Sequence, residues 1–151
     1  MATVYQQFAP EEAKLRTTAF PQYVLANGTN FPVSGLAYDA ASDEAAFYMF
    51  RAINYASGNL TIDIDWYADT AIGVQSIVFE AQIAAYTPDA DDVDIETRAL
   101  AILNFIQDAQ IIGVDQRVHR ATLTLSNLDS LAANELVWLR IARDANGTNA
   151  V

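Results

Sequence analysis

The stretch Leu60-Thr61-Ile62-Asp63-Ile64-Asp65-Trp66-Tyr67 alternates apolar and polar side chains, and two of the polar ones are charged. Successive side chains of a strand point to opposite faces, so Leu60, Ile62, Ile64 and Trp66 are predicted to enter a core while Thr61, Asp63, Asp65 and Tyr67 face water or a partner. A half-buried strand of this kind belongs in a layered β-structure. It leaves the function open, because such folds carry many functions and each must be argued from a site.

A chain of 151 residues with 52% apolar residues suits one domain able to bury a core without staples. The absence of cysteine rules out disulfides, thiolate metal sites and cysteine catalysis. Met1 to Gln7 contain no basic region followed by an apolar stretch, and no apolar run is long enough to cross a bilayer, so neither an export signal nor a membrane anchor is expected.

Charge is concentrated. Residues 39–96 carry twelve acids (Asp39, Asp43, Glu44, Asp63, Asp65, Asp69, Glu80, Asp89, Asp91, Asp92, Asp94 and Glu96) against Arg51 alone, which accounts for the whole net charge of −11. The seven remaining acids are matched by Lys14, Arg16, Arg98, Arg117, Arg120, Arg140 and Arg143. Such a surface repels a phosphate backbone, so no nucleic-acid partner is expected. The acidic third reads first as a solvated face that keeps the protein soluble, and second as an acidic docking face.

Turn signals at Asn27-Gly28, Pro32, Gly35, Ser57-Gly58, Gly73, Pro88, Gly113 and Asn146-Gly147 cut the chain into short pieces. Between them, strands are predicted over residues 22–26, 45–53, 60–67, 76–86, 98–105, 118–126 and 135–143. The fifth has a competitor, since Ala99, Leu103, Ile106 and Ala109 also share one face of a helix over 96–110. Seven or eight strands without a βαβ rhythm predict an all-β, antiparallel two-sheet sandwich, with a jelly roll ranked first and an immunoglobulin-like sandwich second. Residues 1–20 read as an extended N-terminal arm and 21–151 as the sandwich domain; Val4, Tyr5 and Phe8 are poor residues for a free tail and are expected to pack on something.

Few residues suggest chemistry. His119 is the sole histidine, lies in a strand pattern between arginines, and reads as structural; with no cysteine, a histidine-based metal site lacks ligands. Asp63 and Asp65 on one strand face would stand roughly 6.5–7 Å apart, but a glycosidase needs its two carboxyls on opposite sides of the scissile bond. Asp89, Asp91 and Asp92, in an acidic run that continues through Asp94 and Glu96, form a weak calcium candidate without the glycine of an EF-hand loop. No metal or other cofactor is otherwise expected, nor an enzyme. Trp66 reads as core. Trp138, between Val137 and Leu139, should face outward, where it could stack on a sugar or enter a neighbouring subunit, and Tyr48 and Tyr67 are similar cases. Three Asn-x-Thr patterns, at Asn27, Asn59 and Asn146, carry no weight without an export signal.

The segments 42–51 (Ser42-Asp43-Glu44 to Arg51), 60–69, 84–89 (Ala84-Ala85-Tyr86-Thr87-Pro88-Asp89) and 125–144 (Leu125-Ser126-Asn127-Leu128-Asp129 to Asp144) resemble a group of small β-sandwich structural proteins of tailed bacteriophages. The likeness spans residues 42–144. It implies a jelly roll serving as a capsid decoration (cement) protein or as part of a tail fibre. It further implies a non-enzymatic virion protein, made in the host cytoplasm, that sits as a homotrimer on the capsid exterior against the major capsid protein. On that reading Tyr5, Phe8, Lys14 and Arg16 of the arm are expected to contact the capsid lattice, and Trp138, Arg140 and Arg117 the neighbouring subunit. Similar chains run past the last arginine-aspartate into a closing strand, whereas this sequence ends at Val151, so residues 1–20 of the same or a neighbouring subunit are expected to fill that edge.

Overall fold

The computed structural model describes residues 4–70, 76–109 and 114–145. The turns expected at Gly73, Gly113 and Asn146-Gly147 lie outside these. Among the described residues nine strands follow a short 3-10 turn at Pro10–Glu12: β1 (Lys14–Leu15), β2 (Gln22–Asn27), β3 (Pro32–Ala37), β4 (Glu44–Arg51), β5 (Leu60–Trp66), β6 (Ser76–Tyr86), β7 (Asn104–Ala109), β8 (His119–Leu125) and β9 (Leu136–Asp144). No α-helix occurs among the described residues, hence none long and apolar enough to cross a membrane.

Five strands form one antiparallel sheet in the order β1-β4-β9-β6-β7, while β5 pairs with β8 and β2 with β3. The fold is β-sandwich-like. The inward face of the large sheet (Tyr48 and Phe50 of β4, Ala81, Ile83 and Ala85 of β6, Val137, Leu139 and Ile141 of β9) packs against Leu60, Ile62 and Ile64 of β5 and Leu123 and Leu125 of β8. Burying each of the larger aliphatic side chains contributes about 1.5–3 kcal/mol, which is why the period-two pattern dictates the layering. The β5 alternation holds residue by residue: Leu60, Ile62, Ile64 and Trp66 are partly buried, and Thr61, Asp63 and Asp65 are exposed.

The layers are tied along β7. Asn104 donates from Nδ2 to Ser126 Oγ at 3.0 Å and accepts from the Ser126 and Asn127 amides, and Trp66 Nε1 donates to Asp108 Oδ2 at 2.7 Å. On the opposite side Lys14 pairs with Phe47 and Leu15 with Ala46, and the Phe8 ring rests on Tyr48 and Phe50, 5.2 and 5.8 Å between centroids.

Two predictions for the strands need correction. The strand expected over 98–105 runs instead over Asn104–Ala109, and the helix weighed for 96–110 does not form within the described residues. Arg98 is drawn away to Asp129, and ladder pairing with β6 begins only where Asn104 meets Ala81. Strand β3 is absent from the strands that the sequence predicts. Pro32 and Gly35 read as turn signals, yet Pro32 takes the first position of the strand, where its missing N–H is tolerated, and Gly35 sits opposite Val24.

Candidate interaction surface

Alternation along β9 sends Val137, Leu139 and Ile141 into the core and leaves Trp138 and Arg140 on the outer face of the large sheet. Register then sets their neighbours: Trp138 lies between Met49 of β4 and Ala84 of β6, and Arg140 between Phe47 and Gln82. Ala84 is small, so Trp138 stands over a shallow floor. A cleft of about 170 Å³ opens there, lined among others by Arg16, Phe47, Tyr86, Glu96, Arg98 and Trp138. The Arg16 guanidinium stacks over the Phe47 ring at 4.9 Å, a cation–π contact.

Lys14 and Arg16 have no carboxylate partner among the described residues. In a chain with nineteen acids and eight basic residues, a lysine on an edge strand and an arginine just beyond its end, neither with a carboxylate, are available to another molecule. Arg140 is not. Its guanidinium donates to Glu80 at 3.2 Å and Gln82 at 2.9 Å, and its charge is met within its own sheet.

The seven side chains expected to make contacts therefore separate. Lys14, Arg16, Trp138 and Arg140 share the outer face of the large sheet; Phe8 is turned inward on Tyr48 and Phe50; Tyr5 is 89% exposed; and Arg117 is exposed in the loop entering β8, in the other layer. Trp138, Arg140 and Arg117 do not form one patch. Tyr48 belongs to the core rather than to a ligand surface.

At one end of the sandwich Arg98 donates to Asp129 at 2.9 Å and lies 3.5 Å from Asp91. Asp129 also accepts the Ala85 amide at 2.9 Å, Asp91 accepts the Thr87 amide at 2.8 Å, and Glu135 accepts the Thr87 hydroxyl and the Ala132 amide. The bond to Asp129 raises the pKa of Arg98 above the ordinary arginine value. Part of the acidic run is thus structural: Asp91 closes its own turn and pairs with Arg98. Among the described residues no three acids or histidines are grouped to hold a metal ion. The sequence offers no local signal for this network, since Asp129 is 31 residues from Arg98 and 44 from Ala85.

The remaining polar candidates also have structural partners. Asp65 accepts two bonds from Arg120, at 2.7 and 2.9 Å, which hold its carboxyl below the usual range; Asp63 accepts the Thr122 hydroxyl. His119 is buried at 8% exposure and stacks on Trp66, 4.8 Å between centroids. Tyr38 donates to the Ile141 carbonyl at 3.3 Å, and burial pushes its phenol well above the ordinary tyrosine pKa. Comparison with known proteins finds no family model, no curated protein and no solved structure that matches the chain.

Proposed function

We propose that this chain is a non-enzymatic structural protein of a tailed-phage virion, a jelly-roll cement protein that binds the exterior of the head lattice as a homotrimer. The observation that carries the reading is the outer face of the large sheet, where Lys14 and Arg16, with no carboxylate partner among the described residues, stand beside Phe47 and Trp138 on a chain of net charge −11. An acidic protein that must settle on another protein does so through a patch free of its own excess charge, and cations with aromatic side chains make strong contacts of that kind.

In this reading the patch faces the major capsid protein, with Lys14, Arg16 and exposed Tyr5 as the contacts and Phe8 as the anchor that holds the arm to the sandwich. The acidic middle third turns to solvent. Stabilisation of the head follows from mass action: a ligand that binds the intact lattice and not the dissociated one adds its binding free energy at every occupied position.

The test is cosedimentation of the purified chain with undecorated heads. Saturable binding that raises the disruption temperature of the heads and weakens in the double variant Lys14→Glu, Arg16→Glu supports the reading. Binding unaffected by that variant removes the patch from it. A second reading, a tail-fibre module that binds host polysaccharide, draws on Trp138 in its cleft beside Tyr86 and Arg16. Glycan-array binding abolished by Trp138→Ala would favour it.

A further inference from the structure

One wall of the cleft over Trp138 is a loop segment that three separate anchors hold in place. Asp94 accepts the Glu96 amide at 2.9 Å through its carboxylate and the Thr97 amide at 3.1 Å through its carbonyl. Arg98 is fixed on Asp129, and beyond it the Ala101 amide donates to the Ile83 carbonyl at 2.8 Å while the Ala101 carbonyl accepts from Gln82 Nε2 at 2.8 Å. Ile95, Glu96 and Leu100 of this segment line the cleft together with Arg16 of the N-terminal arm, over a floor that includes buried Ala84. A wall fixed in advance reduces the ordering cost of binding there.

Three polar groups in the cleft are unspent. The Arg16 guanidinium has no ion pair and no hydrogen bond among the described residues; its face rests on Phe47, which leaves the in-plane N–H donors for a ligand. The Glu96 carboxylate and the Trp138 Nε1 donor likewise have no partner among the described residues. Arg16 and Glu96 therefore line one cleft without pairing with each other. Arg98, the other cation there, is committed to Asp129 and Asp91. What is left is one free charge of each sign, an indole N–H, and the rings of Trp138 and Tyr86.

We propose that this cleft binds one ring of a neutral sugar, with Arg16, Glu96 and Trp138 as its contacts. The free charges decide between ligands. An anion drawn to Arg16 meets Glu96 and a chain of net charge −11, a cation drawn to Glu96 meets Arg16, and a wholly apolar ligand strips water from both charges without replacing it. A ring of hydroxyls satisfies all three groups, donating to Glu96 and accepting from Arg16 and Trp138, while its C–H face packs on the aromatic lining. An amino-acid zwitterion answers both charges but offers the rings no flat C–H face. At about 170 Å³ the cleft is smaller than the roughly 300–1,000 Å³ pockets that hold drug-sized ligands, which limits it to a single ring. The inference deepens the polysaccharide reading of the proposed function, on which it rests, and does not depend on head binding.

Saturation-transfer NMR of the full chain with neutral methyl hexosides, the corresponding hexuronic acids and glycine tests it. The expected result is saturable transfer to a neutral hexoside at roughly millimolar affinity, the range for so small a ligand. Arg16→Gln, Glu96→Gln and Trp138→Ala should each weaken it by at least about tenfold, since each removes a charged or stacked contact, whereas Arg117→Gln, exposed in the other layer, should leave it unchanged. Arg16 and Glu96 are exposed, so their variants keep the fold, as circular dichroism melts matching the parent will show, and they decide the matter even where Trp138→Ala is unstable. No transfer to any sugar, neutral or acidic, overturns the polysaccharide reading and the inference with it. Transfer to hexuronic acids alone, displacement of the hexoside by an equal concentration of glycine, or neutral-sugar binding that survives both glutamine variants overturns the inference and leaves that reading standing.

Discussion

Replacing Asp129 with alanine removes one carboxylate from two partners and leaves both of them in place. The Ala85 amide, on a residue only 2% exposed, loses its 2.9 Å acceptor, and Arg98, with a side chain 21% exposed, loses its nearer anion. A buried donor left unsatisfied costs about 1–3 kcal/mol, and a partly exposed ion pair adds about 0–1 kcal/mol. Asp129 also adopts φ 51°, a region aspartate tolerates better than alanine, for roughly 1 kcal/mol more. The sum is about 2–5 kcal/mol, which at this chain length lowers the melting temperature by roughly 4–20 °C. Asp129→Asn keeps an acceptor and the tolerance for positive φ, so it should lose less than half as much. Thermal melts followed by circular dichroism measure both. If Asp129→Ala melts within about 1 °C of the parent, or if Asp129→Asn loses as much as alanine does, the carboxylate is not the clasp described here.

In the core, Leu123→Ala at a fully buried position should cost about 2–5 kcal/mol in urea unfolding, with little change in the slope against denaturant. The raised pKa of buried Tyr38, and the smaller rise at Tyr48, favour the neutral phenols in the folded state. Their contribution is complete below the ordinary tyrosine pKa of 10.0 and is lost as pH climbs above it, so Tyr38→Phe should flatten the alkaline fall in stability. The depressed carboxyl of Asp65 has the opposite sign: it stabilises above the normal aspartate range and fades as pH falls through its folded value. Because that pair is exposed, Asp65→Asn should shift the melting temperature by no more than about 4 °C at neutral pH, read on the same melts.

Period-two alternation is a local property, and what depends on it is readable from the sequence alone. The β5 faces, the outward Trp138 and the extent of β6 follow from neighbouring residues alone. Segments whose geometry is set from a distance were not readable. β3 was hidden by Pro32 and Gly35, which mark turns in isolation but are accommodated once β2 lies alongside. β7 was displaced because Arg98 answers to Asp129 and Asp91, and no periodicity reports an ion pair across the fold. The surface was legible in part for the same reason. Composition pointed to Lys14 and Arg16 as cations of the arm, but only the β1–β4 register places them beside Phe47 on the face that carries Trp138.

The proposed role, a sandwich that works as a repeated part of a particle, is tested most directly by counting. Quantitative mass spectrometry of purified virions, scaled to the major capsid protein, should find hundreds of copies per particle, in a fixed ratio to the lattice. A particle that carries none, or only a few, contradicts the account.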